Sequence, residues 1–158
     1  MPRGNAKIKK QDLIPDEKYG SIVVEKLINY VMLDGKKIAA KKIVYAALDK
    51  SSEKLDAKPQ DIVEQVIKNV GPIVEVKGKR IGGANYQVPV EVGRERKVVL
   101  ALRWMLAATR AKKGKGAGEK LFEEICLAYN NDGAAVKKKE EVHRMAEANK
   151  AFAHFARF

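Results

Sequence analysis

Residues 74–92 break the rhythm of the chain around them. In Val74-Glu75-Val76-Lys77, and again in Tyr86-Gln87-Val88-Pro89-Val90-Glu91-Val92, apolar and polar side chains alternate with a period of two. That is the spacing of a strand with one covered face. Gly82-Gly83 lies between the runs, which predicts a β-hairpin over residues 73–92. Pro89 cannot donate a ladder hydrogen bond, so it argues against a central strand. No third strand is legible elsewhere. Two strands alone are marginally stable in water, so the ribbon is expected to protrude from helices and to be steadied by a partner.

The flanking sequence supplies the helices. Ser21 is placed to cap one in which Val23, Val24, Leu27, Ile28, Val31 and Met32 recur at helical spacing, stopped by Asp34-Gly35. A second is predicted from Lys36 to Lys54, burying Ile43, Ala47 and Leu48. Pro59 suits the first turn of a third, whose stripe is Ile62, Val63, Val66, Ile67 and Val70, ended by Gly71-Pro72. A fourth runs from Arg94 to Ala111 through Val98, Val99, Leu102, Met105 and Leu106. The fifth carries Leu121, Phe122, Ile125 and Tyr129 and closes at Asn130–Gly133. The last sets Val142, Met145, Ala148, Phe152 and Phe155 on one stripe. The expected fold class is mainly α: a six-helix single domain over 1–158, with the hairpin between the third and fourth helices. Residues 1–12 form a flexible basic arm and 134–158 a C-terminal helix and tail.

Charge decides what such a domain meets. Among 158 residues, 32 Lys and Arg outnumber 20 Asp and Glu, a net +12. With 46% hydrophobic residues the chain can bury a core, which excludes wholesale disorder. The charge is sorted along the chain. Residues 1–11 hold Arg3, Lys7, Lys9 and Lys10 with no acid; 75–97 carry six basic and three acidic side chains; 103–120 carry six and one. Tyr45–Gln65 instead holds five acids, Asp49, Glu53, Asp56, Asp61 and Glu64, against three lysines. A one-sided field of this kind suits a polyanion such as nucleic acid. The longest apolar runs, such as Val98–Leu102, are too short to span a membrane. No apolar stretch follows the basic start as in a signal peptide. Cys126 is alone, which excludes an internal disulfide and suits a reducing compartment.

Catalytic patterns are weak. His143 and His154 are eleven apart, matching neither a helical metal pair nor a His-Glu-x-x-His box. Cys126, Trp104 and Tyr129 read as core. Gly114, Gly116 and Gly118 alternate without a preceding strand or a following Gly-Lys-Ser/Thr, so Lys112–Gly118 reads as a flexible basic loop and not a phosphate-binding loop. No cofactor and no metal are expected. In Lys137-Lys138-Lys139-Glu140-Glu141, the pairs Lys137–Glu141 and Glu140–Arg144 are at helical spacing, and a solvated face and phosphate contact both stay open. At the hairpin, Lys77, Lys79 and Arg80 crowd the tip beside bare glycine backbone, which favours binding. A dimeric DNA-architectural protein and an enzyme are the competing readings. The first has no need of an acidic back face, and the second lacks its acid, base and nucleophile.

Four longer motifs identify a relationship. Gly35-Lys36-Lys37 is followed by Ile43-Val44; Arg80-Ile81-Gly82-Gly83-Ala84-Asn85-Tyr86-Gln87-Val88-Pro89-Val90-Glu91 spans the ribbon; Leu102-Arg103-Trp104 lies in the fourth helix; and Gly133 to Phe155 begins Gly133-Ala134-Ala135-Val136-Lys137-Lys138-Lys139. Over essentially its whole length the chain resembles the small-subunit ribosomal protein seven family in its bacterial or plastid form. The resemblance implies a helical domain with a protruding ribbon, primary binding to small-subunit rRNA and nucleation of head assembly. It also implies a place at the exit site near transfer RNA and messenger RNA, no enzymatic activity, no membrane association, and a cytoplasmic or plastid-stromal location within the small subunit. Carried over, the rRNA-facing set is Arg3, Lys7, Lys9, Lys10, Lys36, Lys37, Lys77, Lys79, Arg80, Arg94, Arg96, Arg110, Lys112, Lys113, Lys115, Lys137, Lys138, Lys139 and Arg144. Arg80, Gly82, Gly83, Ala84, Arg144 and Asn149 would approach exit-site transfer and messenger RNA. Phe152, His154 and Phe155 would meet a neighbouring small-subunit protein. The chain departs from the family in its glycine-rich Lys112–Gly118 and in having Glu17, with Pro at 15, before Lys18-Tyr19-Gly20.

Overall fold

Ser21 opens the first helix as expected: it is extended, and its hydroxyl accepts the N–H of Val24 at 3.5 Å. Upstream, Asp16 accepts the N–H groups of Lys18 at 3.1 Å and Tyr19 at 2.8 Å, and the Tyr45 hydroxyl at 2.5 Å. The approach to that helix is thereby tied to the next one. The structure, a computed structural model, describes residues 12–157, so Arg3, Lys7, Lys9 and Lys10 of the basic arm lie outside the described residues. The helices are α1 (Ile22–Val31), α2 (Lys37–Leu55), α3 (Pro59–Val70), α4 (Arg94–Ala111), α5 (Ala117–Tyr129) and α6 (Ala134–Ala148), and a 3₁₀ helix covers Lys150–Arg157.

Burial follows the predicted stripes. Val24 and Ile28 of α1, Val44 and Leu48 of α2, and Ile62 and Val70 of α3 are fully buried in one cluster with Leu102 and Met105 of α4 and Leu121 and Ile125 of α5. Each such side chain contributes about 1.5–3 kcal/mol relative to exposure. Trp104 and Tyr129 pack against this core, and Cys126 is buried.

The ribbon is β1 (Val74–Ile81) paired antiparallel with β2 (Ala84–Glu91), in register from Val74 opposite Glu91 to Ile81 opposite Ala84. Gly82 and Gly83 both have positive φ, +57° and +89°. Two positive angles in a two-residue loop are the demand of a type I′ turn, which glycine meets without strain. With only two strands in the sheet, both are edges, and Pro89 sits opposite Val76 at no cost to a third strand.

The C-terminus corrects the sequence reading. α6 stops at Asn149, whose side-chain amide donates to the Met145 carbonyl at 2.8 Å. The 3₁₀ helix then turns onto β2. Its three-residue repeat places side chains i and i+3 on one side, so Phe152 and Phe155 stack 6.3 Å apart and each meets Tyr86 at 5.3 Å. Met145 and Ala148, predicted on the same stripe, are exposed. The chain's own end thus packs on the ribbon through these rings. The loop after α4 is also shorter than predicted, since Ala117 and Gly118 already belong to α5.

Candidate nucleic-acid interface

Arg96, Arg103 and Arg110 are seven apart on α4 and all exposed. Heptad spacing drifts only about 20° per step, so they form a stripe along one side of the helix. It links two basic regions. At one end Arg96 reaches Glu75 of β1 at 3.1 Å. At the other, Arg110 donates to the Tyr30 carbonyl at 3.4 Å and Arg103 lies 6.0 Å from the Tyr30 ring. Arg103 was not among the predicted site residues; its spacing from Arg96 and Arg110 was the available signal.

Tyr30 lies in the last turn of α1, a few residues before α2 begins. There Gly35, Lys36, Lys37, Ile38, Ala39 and Lys42 line an open groove. Lys36 and Lys42 are exposed, and Lys37 pairs with Glu25. Lys42, one turn after Ile38, is a second residue the sequence reading missed.

On the ribbon, Lys77 and Arg96 share Glu75, at 3.2 and 3.1 Å. Burial pushes the Glu75 carboxyl up, but the bonds to Arg96 and Lys77 outweigh it and hold the group below the usual carboxylate range. Arg80, Gly82, Gly83 and Ala84 are exposed at the tip, and Arg94 is exposed at the start of α4. Lys79 instead donates to the carbonyls of Phe155 at 3.1 Å and Ala156 at 3.4 Å.

The remaining predicted residues divide. Lys113, Lys137 and Arg144 are exposed. Lys112 lies 2.9 Å from the fully buried Glu124, and Lys115 pairs with Glu123, so acids anchor two of the loop's three lysines. Glu124 in turn accepts the Ala135 N–H at 3.1 Å beneath the start of α6. Gly133 leaves room there: a Cβ would stand 3.0 Å from the Glu124 carboxylate. Lys138 pairs with Glu141 at 2.8 Å, three residues on, where Lys137–Glu141 was predicted. Lys139 turns inward to the Asn69 carbonyl at 2.5 Å. Asn149 is half-buried. His154 packs 4.0 Å from Phe155 and bonds the Ala151 carbonyl through Nδ1, while Phe152 and Phe155 are engaged with Tyr86.

The acidic run sits elsewhere. Glu53 and Asp56 close the far end of α2, roughly 25 Å of helix from Lys36, and Asp61 and Glu64 are exposed on α3. Asp49 bonds Lys18, at 2.6 Å, and the Tyr19 hydroxyl, at 2.7 Å. The Lys18 ammonium holds its carboxyl low against the opposing push of burial. Among the described residues no group of three His, Cys, Asp or Glu could hold a metal ion, and no helix is long and apolar enough to cross a membrane. Exposed guanidinium and ammonium groups on rigid elements, beside bare glycine backbone, are equipped to contact phosphate.

Known proteins are similar to this sequence over nearly its full length. The chain is 56% identical over 155 residues to the small ribosomal subunit protein uS7 of Thermosipho melanesiensis, covering 98% of this chain and 99% of that one. It is 54% identical over 146 residues to uS7 of Thermotoga neapolitana, with 92% and 94% covered. With uS7 of Herpetosiphon aurantiacus the identity is 52% over 158 residues, the whole of both chains. The family model described as ribosomal protein S7p/S5e matches residues 2–150. The chain belongs to the ribosomal protein S7p/S5e family.

Proposed function

We propose that the chain, as a structural constituent of the small ribosomal subunit, binds the subunit's ribosomal RNA directly and nucleates folding of the head. A ribosomal protein of this family is a structural component and not an enzyme. Its place within the subunit gives it a cytoplasmic location, or a stromal one if plastid-encoded. The observation that carries the RNA reading is the arginine stripe of α4, joining the Lys36–Lys42 corner to the ribbon root. Such a track follows a phosphate backbone and releases its counterions. The basic arm with Arg3, Lys7, Lys9 and Lys10 adds cations of the same sign. The rest of the predicted rRNA set, Arg80, Arg94, Lys113, Lys137 and Arg144 foremost, is proposed with it. Lys77, Lys79, Lys112, Lys115, Lys138 and Lys139 carry protein bonds and belong to the set less directly.

The ribbon tip and the C-terminal segment are proposed to face exit-site transfer and messenger RNA through Arg80, Gly82, Gly83, Ala84, Arg144 and Asn149. His154 is the exposed member of the set proposed to meet a neighbouring small-subunit protein. Recovering the protein from cells and sequencing its crosslinked nucleic acid tests the proposal. Small-subunit rRNA with a minor share of transfer and messenger RNA is expected; chromosomal DNA or no enrichment would overturn it.

A further inference from the structure

The ribbon leaves the helical body at one joint. Gly71-Pro72 ends α3, and Ile73 is the last residue before β1. The Ile73 carbonyl accepts the Val92 N–H at 2.9 Å and so closes the ladder. Its own N–H donates not to β2 but to Nε2 of His143 on α6, at 3.1 Å. One turn earlier on α6, Lys139 donates to the carbonyl of Asn69, four residues before Ile73, at 2.5 Å. Asn69 is itself fixed: its amide donates to the carbonyls of Ala128 and Tyr129, each at 2.9 Å, and accepts from Gln65 at 3.0 Å. Two side chains one helical turn apart thus hold two backbone groups one turn apart across the joint.

We propose that α6 aims the ribbon: Lys139 and His143 are positioning residues that hold the Asn69 carbonyl and the Ile73 amide and thereby set where the tip lies. The consequence for RNA contact rests on the function proposed above; the grip itself does not. An accepting Nε2 requires a neutral imidazole with its proton on Nδ1. Burial, with the charges of Lys139 and Lys97, lowers the His143 pKa and favours that form. The charged groups around it are Lys139 and Glu147 of α6, Lys97 of α4 and Lys150 of the 3₁₀ helix, while the ribbon presents uncharged Ile73, Val74 and Pro89. Protonation would put a donor against the Ile73 N–H. The grip is therefore complete above the ordinary histidine value of about 6.5 and is lost as pH falls through the lower folded value.

The test reads the ribbon's direction in the full chain. Spin labels go on Asn85→Cys at the tip and Glu53→Cys on α2, in a Cys126→Ala background, with distance distributions recorded at about pH 7.5 and about pH 5. A narrow distribution is expected at the higher pH, broadening at the lower. His143→Gln, whose amide oxygen accepts and does not titrate, should stay narrow at both, and His143→Leu should be broad at both. Lys139→Gln, which removes the donor to the Asn69 carbonyl, should broaden the distribution at both pH values. A narrow His143→Leu, a His143→Gln as broad as His143→Leu, or a pH-independent parent would overturn the proposal. Should the leucine variant not fold, the unaltered chain decides. Protection of the Ile73 amide, corrected for intrinsic exchange, should fall about tenfold on acidification, the loss of one hydrogen bond, and constant protection would contradict the grip. If rRNA fails to bind while these results hold, the proposed function fails and the grip stands.

Discussion

The helical body and the ribbon are held together by different physics. In the body, stripes from α1 to α5 close on one apolar cluster, and Val24, Val44, Leu48 and Ile62 lose all contact with solvent. In the ribbon, Val88 is the one fully buried strand residue. Its stability comes instead from a short ladder, the Tyr86–Phe152–Phe155 contacts, the Lys79 bonds to the chain end and the grip at Ile73. Burial is non-directional and tolerates repacking; hydrogen bonds and ring contacts are few and directional. The body supplies stability, and the ribbon is positioned upon it.

Breaking the body should cost most. Leu48→Ala removes a fully buried side chain and should destabilise the whole protein by about 2–5 kcal/mol in urea unfolding. Glu124→Ala should follow at about 3 kcal/mol, because it leaves Lys112 and the Ala135 N–H without their buried partner. Glu124→Gln should cost less, since its amide oxygen still accepts from Ala135. Phe152→Ala is the sharper probe of the contrast. It should cost only about 1 kcal/mol while hydrogen exchange quickens across β1, β2 and the 3₁₀ helix and stays unchanged in α2 and α3. Deleting Lys79–Asn85 should leave the body's unfolding nearly unaltered and loosen the chain end, since the Lys79 bonds to Phe155 and Ala156 go with it. Exit-site transfer-RNA retention should change in ribosomes carrying that variant. The smallest effect is the acid response of Glu75: its folded pKa is lowered, so its contribution is present above the ordinary glutamate value and lost as pH falls through the folded one. Glu75→Gln should remove that low-pH loosening of the ribbon in exchange measurements.

The same contrast explains what the sequence revealed. Body helices are written locally, in the Ser21 cap, Pro59 at a first turn and apolar residues at helical spacing, and the Gly82-Gly83 turn is equally local. The end of α6 was not legible, because Phe152 and Phe155 are three apart and that interval fits an α-helix and a 3₁₀ helix alike. In the fold both rings meet Tyr86, far away in sequence. Glu124, Lys139 and His143 look like surface residues of amphipathic helices until the partners across α6 and the joint are known. Arg103 was hidden between Leu102, which is buried, and Trp104, which packs on the core.

The proposed RNA recognition rests on sorted surface charge and not on net charge. Its most direct test compares two charge reversals for binding of a small-subunit rRNA fragment over a salt titration. Glu53, Asp61 and Glu64 changed to Lys should leave affinity and slope nearly as in the parent. Lys36, Arg80 and Arg94 changed to Glu should weaken binding strongly and reduce the salt slope by about three. If both sets shift affinity in proportion to net charge alone, with folding intact, the account is contradicted.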